Sequence, residues 1–191
     1  MEKNQQTEVS ADKILELIPP VAMIRPSGNY MIKAKEDLDD FLKGAELSDR
    51  WTDNLKEDSN LISTLLQNGL KGSVELFLNG IKTPRIYSEF KCNNDNIAIE
   101  MSAMLYRCIR ELIMNAQKHA NANLILVRLA TYVSHVSATV FDNGISFDPK
   151  STTIGHGLGN IADYVVAQNG IMRISTTSGA GTEINFDIEL R

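Results

Sequence analysis

A stripe of acidic, amide and cationic side chains follows one face of a predicted helix near the middle of this 191-residue chain. The stripe consists of Glu111, Asn115 and either Lys118 or His119. Because these positions recur at intervals of three and four residues, their side chains line up along the helix. By itself such a stripe is typical of an ordinary solvated face, so its chemical meaning depends on the rest of the chain.

The opposite face of the same helix is apolar at the same spacing and is predicted to pack on a core. Its members are Leu105, Cys108, Ile109, Leu112, Ile113 and Ala116. The chain has two cysteines, too few for a disulfide framework and without a metal-ligand pattern. We expect Cys108 to be a small buried hydrophobic residue.

Three further boxes follow the helix: DNG at residues 142–144, GHGLG at 155–159 and GAGT at 179–182. Taken alone, Asp-Asn-Gly is a common turn. Each box, however, lies at the end of a predicted strand or helix. Four polar or glycine-rich boxes in this arrangement are hard to obtain by chance, so together they indicate a functional site.

The segments around the boxes predict an α+β fold. Patterns typical of strands cover residues 85–92, 124–130, 135–141, 171–177 and 182–190, and helical patterns cover 98–118 and a helix that ends at Asn169-Gly170. Helices on one face of a mixed, mostly antiparallel sheet would give a two-layer sandwich.

Residues 1–80 are predicted to form a mostly helical N-terminal segment of unknown function, and residues 81–191 the domain that carries the boxes. In the first segment we expect helices over residues 10–18, 35–45, 48–67 and 74–78, with Asn68-Gly69 ending the third. In that third helix the residues expected to point inward are Trp51, Leu55, Ile62, Leu65 and Leu66. A hairpin with strands at 21–24 and 30–32 is also expected.

The composition excludes several classes of function. The net charge is −5 and no basic cluster is interleaved with aromatics, which argues against nucleic-acid binding. An apolar share of 43% supports a real core. No apolar run approaches the 18 or more residues of a membrane span, and the polar, acidic N-terminus does not resemble a signal peptide. We therefore expect this chain to be cytoplasmic.

The four boxes resemble those of the GHKL superfamily, the nucleotide-binding fold shared by DNA gyrase, the heat-shock chaperone, sensor histidine kinases and the mismatch-repair ATPase. ELIMNAQKHANA, followed by DNG and GHGLGNI, is most similar to bacterial two-component sensor histidine kinases of the NarL/DesK type. The resemblance covers roughly residues 84–191. It implies the cofactors ATP and Mg2+, and it allows the chain to be the cytoplasmic part of a membrane-bound sensor.

The resemblance also assigns roles along the helix. Asn115 matches the family's metal-binding asparagine, and an amide oxygen is a hard ligand of the kind that Mg2+ prefers. Lys118 and His119 match phosphate contacts. Glu111 matches the acidic position, which orients or deprotonates water in the ATPases of the superfamily and acts less directly in the kinases, so it is the candidate catalytic residue.

The remaining boxes would hold the rest of the nucleotide. Asp142 matches the aspartate that reads adenine through its exocyclic amine, and Gly144 would let the backbone approach the ring. Where the family usually has a further glycine, this chain has Ser146. The resemblance implies an ATP lid that contains Gly155, His156, Gly157, Leu158 and Gly159. It also implies that Thr182 supplies a hydroxyl near the adenine.

A sensor histidine kinase transfers the γ-phosphate of ATP to a histidine, typically one that an acidic residue follows. The three histidines of this chain all lie inside the nucleotide domain, and none precedes Asp or Glu. We therefore expect the chain to bind Mg-ATP and to serve a phosphoacceptor histidine outside itself, with a response regulator as the downstream partner.

Two alternatives remain open at this stage. One is a stand-alone serine kinase or slow ATPase like the anti-sigma factors. The other is a module that binds ATP without transferring phosphate and acts in sensing or dimerisation. If residues 48–67 are part of a dimerisation hairpin whose histidine-bearing helix is missing, their apolar stripe would lack a partner, and a homodimer through the N-terminal helices would follow.

Overall fold

The computed structural model describes residues 28–34, 36–37, 59–92, 97–146, 156–177 and 179–190. In chain order the elements are β1 (Gly28–Ile32), α1 (Ser59–Asn79), β2 (Arg85–Cys92), α2 (Ile99–His119), β3 (Leu124–Thr131), β4 (His135–Asp142), α3 (His156–Ala167), β5 (Ile171–Thr177) and β6 (Gly181–Glu189). The elements predicted from residue 85 onward are therefore confirmed, with boundaries shifted by only a few residues.

The described strands form one sheet in the order β1-β5-β6-β4-β3-β2. β2 and β3 run parallel, and every other neighbouring pair is antiparallel. A parallel pair needs a crossover, and α2 supplies it between β2 and β3. The predicted mixed, mostly antiparallel sheet is confirmed.

The core lies between this sheet and the layer of helices. Alternate residues of the central strands point into it, as the period of a strand requires; they include Val127, Val140, Ile184, Phe186 and Met172, each at most 7% exposed. The predicted apolar face of α2 is buried as expected, and Cys108 is fully buried within it. The α+β sandwich is therefore confirmed.

Helix α1 consists of two halves joined at Gly69, whose φ of 65° and ψ of −178° are not helical. A backbone of this kind is accessible almost only to glycine, so the predicted break at Asn68-Gly69 is confirmed. The second half begins at once, earlier than the predicted residue 74. Leu65 is buried, but Leu66 is 71% exposed, so the prediction that Leu66 points inward is wrong. Consecutive helical residues lie about 100° apart, and Leu65 occupies the inward direction.

The core extends across the boundary predicted at residue 80. Leu70, Val74 and Leu78 of α1 belong to the same buried cluster as the strands, and β1 pairs with β5 from Gly28↔Thr176 to Ile32↔Met172. The strand predicted at 21–24, the helix at 10–18 and most of the helix at 35–45 lie outside the described residues, as does the start of the helix predicted at 48–67. Among the described residues, no helix is long and apolar enough to cross a membrane.

Candidate functional site

The polar stripe of α2 faces the amino end of α3. Glu111 and Asn115 are half-buried, whereas Lys118 and His119, in the last turn, are exposed. Neither Lys118 nor His119 forms an ion pair with another described residue. The helix therefore presents a partly buried carboxylate and a partly buried amide. One turn later, Lys118 and His119 can donate hydrogen bonds to an anion in solvent.

The side chain of Glu111 lies directly against Gly157, the second residue of α3. A Cβ atom placed on Gly157 would lie 2.7 Å from Cδ of Glu111, so a larger residue here would require the Glu111 side chain to move. Gly159 is buried and Leu158 packs against the main core. His156 begins α3, and Gly155 lies outside the described residues. The amino end of α3 is thus held beside the polar stripe of α2.

Asp142 and Thr182 form a second polar group at one end of the sheet. They are directly opposite each other in the β4–β6 pairing, and Thr176 continues the row on β5. Opposed residues of an antiparallel pair share a face, and this row lies on the face that the helices cover. Asp142 is 8% exposed and Thr182 is 5% exposed.

The Asp142 carboxylate has an unusual electrostatic environment. Burial raises its pKa to about 6, although a hydrogen bond of 2.9 Å from the Gly144 amide to Oδ1 acts in the opposite direction. No described residue donates to its other oxygen, Oδ2. A buried carboxylate with one free oxygen at a strand end is suited to accept a hydrogen bond from a ligand.

Glycines allow the backbone to close around Asp142. A Cβ on Gly181, where φ is 97°, would lie 2.8 Å from the Asp142 carbonyl carbon, so β6 begins in direct contact with the end of β4. A Cβ on Gly144 would lie 2.7 Å from the carbonyl carbon of Ala120, just after α2. The amide of Ile145 also donates to the Ala120 carbonyl. These contacts fix the DNG turn relative to the polar stripe.

Asn143 holds the same turn from its other side, and it was not among the predicted site residues. Its Oδ1 accepts hydrogen bonds from the amides of Asn123 (3.1 Å) and Leu124 (3.0 Å), and its Nδ2 donates to Oδ1 of Asn123 at 2.8 Å. The middle residue of the box is therefore a positioning residue for Asp142. No local pattern identifies it, because its partners lie about 20 positions earlier in the chain.

The two polar groups differ in what they can hold. The α2 stripe and the amino end of α3 offer hydrogen-bond donors and a helix terminus to an anion. Asp142 and Thr182 offer a carboxylate and a hydroxyl that are both largely shielded from solvent. Among the described residues, no group of three His, Cys, Asp or Glu side chains could hold a metal. Glu111 and Asn115 supply two oxygen-bearing groups, which fits Mg2+ because this ion keeps several waters and takes phosphate oxygens.

The sequence of this region matches a known family. Residues 100–191, which contain all four boxes, match the family described as histidine kinase-, DNA gyrase B- and HSP90-like ATPase. Residues 100–191 belong to this ATPase family.

Similar curated proteins are sensor histidine kinases. The oxygen sensor histidine kinase NreB of Staphylococcus carnosus is 26% identical over 173 residues, which cover 78% of this chain and 49% of NreB. The sensor histidine kinase ComP of Bacillus subtilis is 32% identical over 98 residues, which cover 50% of this chain and 13% of ComP. The chain thus spans half or less of the length of these relatives.

The fold of this ATPase domain also occurs in a solved histidine kinase. The blue-light activated histidine kinase of Erythrobacter litoralis EL346 superimposes with a TM-score of 0.56 at 17% identity, over 82% of this chain and 56% of that one. The GHKL fold expected from the resemblance is confirmed, as is the sensor histidine kinase type of the domain. The roles of individual residues stay predictions.

Proposed function

We propose that this ATPase domain binds Mg-ATP between α2, α3 and the Asp142 end of the sheet. In that position it would direct the γ-phosphate to a histidine outside this chain, as the catalytic domain of a two-component sensor histidine kinase. The observation that carries the proposal is the buried pair of Asp142 and Thr182, fixed through Gly144 and Ala120 to the end of the α2 stripe.

The base would lie at Asp142. The free Oδ2 can accept a hydrogen bond from the exocyclic amine of adenine, whereas guanine has a carbonyl oxygen at that position. The Thr182 hydroxyl, opposite Asp142 in the β4–β6 pairing, can complete the polar contacts to the ring. The low solvent exposure of both residues strengthens these hydrogen bonds.

The phosphates would lie between α2 and α3. Lys118 and His119 can donate to phosphate oxygens, and the amino end of α3 favours negative charge through its free amides. Asn115 would hold Mg2+ through its amide oxygen. The ion, when bound, neutralises charge on the phosphates, and the domain contributes mainly alignment, as phosphoryl transfer requires.

In the transfer step an imidazole nitrogen of the acceptor attacks the γ-phosphorus. The bond from this phosphorus to the β–γ bridging oxygen breaks, and ADP leaves. The acceptor nitrogen must be unprotonated to attack. The other ring nitrogen keeps its proton until the new N–P bond forms, and the ring then loses it. We assign Glu111, whose carboxylate lies beside the amino end of α3, as the group that accepts this proton.

The histidines of this chain are poorly placed as acceptors. His119 and His156 lie in boxes that would contact the phosphates themselves. His135 begins β4 and Asp142 ends it, so the two are separated by roughly 23 Å at about 3.3 Å per residue. His135 is also stacked on Tyr132, with ring centroids 4.3 Å apart. An external phosphoacceptor domain, a response regulator downstream of it and a cytoplasmic location complete the proposal.

The test is incubation of the chain with γ-labelled ATP, alone and with the phosphoacceptor helices of a sensor histidine kinase. We expect acid-labile label on the acceptor and none on the chain. Acid-stable label would indicate a serine kinase, and binding without transfer would indicate a nucleotide sensor. Label mapped by mass spectrometry to any of the three histidines of this chain would contradict the external acceptor.

A further inference from the structure

A cleft of about 870 Å³, separate from the proposed nucleotide site, opens beside the carboxyl end of α2. Its walls come from the segment that leads into β2 and from the connection between α2 and β3. Six polar or charged residues line it: Lys82, Thr83, Arg85, Gln117, Asn121 and Asn123. This volume lies in the range of pockets that hold ligands larger than a single ion.

The cleft lies on the other side of α2 from the proposed nucleotide site. Gln117 follows Asn115 by two residues, which corresponds to about 200° around a helix. Nε2 of Gln117 donates to the carbonyl of Thr83 at 3.0 Å, so this side chain points towards the β2 edge. A ligand in the cleft would therefore not overlap a nucleotide on the polar stripe.

The charge of the cleft is opposite to that of the chain. The net charge of the chain is −5, yet the residues that line the cleft include two cations and no carboxylate. Lys82 and Arg85 are both exposed, and neither forms an ion pair with another described residue. The amide of Asn121 likewise bonds to no described residue. Lys82 and Arg85 carry donors only, so they favour an oxyanion as the ligand.

An edge strand of the described sheet begins at the same place. In the described sheet β2 is an edge strand, and its inner side pairs with β3. The Arg85 amide donates to the carbonyl of Asn123 at 3.1 Å, so in a parallel ladder the backbone groups of Ile86, Ser88 and Phe90 point to the outer edge. An extended peptide could pair with these groups while its acidic side chains reach the cleft.

We propose that this cleft and the outer edge of β2 form a docking surface for an extended acidic segment of a partner protein. Carboxylates of that segment contact Lys82 and Arg85, and its backbone extends the sheet beyond β2. The strand edge favours a peptide over a lone ion, because a free oxyanion would use only the two cations. Asn123 also bonds to Asn143, so the docked segment would lie one hydrogen-bonded contact away from the Asp142 turn.

The test uses the full chain and a fluorescein-labelled eight-residue peptide of alternating Glu and Val, followed by anisotropy at two salt concentrations. The length matches the eight residues of β2. We expect saturable binding that weakens with salt. The variant with Lys82→Glu and Arg85→Glu should bind about tenfold or more weakly, since two attractive contacts become repulsive. A peptide with Gln in place of Glu should not bind measurably.

A matched control carries Lys33→Glu and Lys71→Glu, which change the net charge by the same amount at exposed sites away from the cleft. If this variant loses as much affinity as the cleft variant, only the overall charge matters and the proposal is overturned. ATP affinity should be the same in the cleft variant and the wild type. Because this readout is independent, a failure of the docking surface and a failure of the proposed nucleotide site give different results.

Two further arms separate a peptide site from an ion site. The same peptide with an N-methyl group at every residue should bind weakly, since neither of its edges can then donate to β2. Inorganic phosphate should displace the original peptide only through its ionic strength, as chloride does. Equal binding of the methylated peptide, or specific displacement by millimolar phosphate, would overturn the proposal.

Discussion

The carboxylate side chain of Glu111 occupies the space that a side chain at Gly157 would need, and this contact joins α2 to the start of α3. In an ordinary helix a change from Gly to Ala is stabilising, by up to about 1 kcal/mol. Here the new methyl group would meet Cγ, Cδ and Oε1 of Glu111. The glycine of this box therefore lets the Glu111 side chain keep its present position against α3.

From this contact we predict that Gly157→Ala loses most of the usual helical gain of up to about 1 kcal/mol in the free energy of unfolding, because the Glu111 side chain must change its rotamer to make room. The measurement is urea unfolding followed by circular dichroism. In a Glu111→Ala background the obstructing side chain is absent, and the same change should give the usual gain. Equal effects of Gly157→Ala in the two backgrounds would show that the contact is not the cause.

We predict that Asp142→Asn weakens ADP binding by about tenfold to a hundredfold, the effect of losing a hydrogen bond to a charged group. In the variant the side-chain oxygen still accepts the hydrogen bond from the backbone N–H of Gly144. The side-chain NH2 group then faces the adenine amine, and two donors cannot form a hydrogen bond. Isothermal titration with ADP and GDP gives the measurement. The affinity for GDP should rise, because the same NH2 group can donate to guanine's carbonyl oxygen, and an unchanged ADP affinity would remove Asp142 from the base site.

The raised pKa of Asp142 predicts a pH dependence of stability. The pKa is about 6 in the folded chain and near 3.9 in an unfolded one. Between these values the folded state holds a proton that the unfolded state has lost. Its stabilising contribution is therefore complete below pH 4 and is lost as the pH rises to 6, at up to about 1.4 kcal/mol per pH unit.

Asp142→Asn should abolish this component of the pH dependence. We expect the variant to be more stable than the wild type at pH 7.5, where the wild type must bury a charge, although it binds ADP less well. Urea unfolding at several values between pH 4.5 and 7.5 measures the difference. Parallel stability curves for the two proteins would show that the carboxylate titrates normally.

Local patterns in the sequence predicted the parts of the fold that depend on near neighbours. The spacing of Leu105, Ile109 and Leu112 identified the buried face of α2, and alternation along residues 184–190 identified β6. The break at Gly69 was predictable because Asn-Gly disfavours a continuing helix. The order of the four boxes likewise predicted that Asp142 and Asn115 belong to one domain.

Contacts between distant parts of the chain could not be predicted in this way. Residues 30–32 read as half of a local hairpin, yet the strand Gly28–Ile32 pairs with β5, more than 130 residues later. The inclusion of α1 in the core was missed for the same reason, since its apolar stripe does not reveal its partner. Asn143 looked like an ordinary turn residue because its hydrogen bonds to Asn123 and Leu124 depend on the folded sheet.

The role of Asn143 gives a graded prediction. Asn143→Ala removes three hydrogen bonds and should lower the free energy of unfolding by about 1–3 kcal/mol. Asn143→Asp keeps the oxygen that accepts from the Asn123 and Leu124 amides and loses only the donor, so it should lie between the wild type and the alanine variant. Thermal unfolding ranks the three proteins. An alanine variant as stable as the wild type would mean that this side chain does not hold the turn.

The last prediction concerns the ion that Asn115 is proposed to bind. Asn115 is half-buried on α2, one turn after Glu111, and it supplies a neutral oxygen without adding charge next to the phosphates. The wild type should bind ATP more tightly with Mg2+ than with EDTA. In Asn115→Ala we expect this ratio of affinities to fall by about tenfold, which corresponds to about 1.4 kcal/mol.

Asn115→Asp is the control, because it keeps an oxygen ligand and should retain the dependence on Mg2+. Titration of all three proteins under both conditions separates a metal role from a packing role, since a packing defect would weaken binding equally with and without Mg2+. An unchanged ratio in the alanine variant would exclude Asn115 from the metal site.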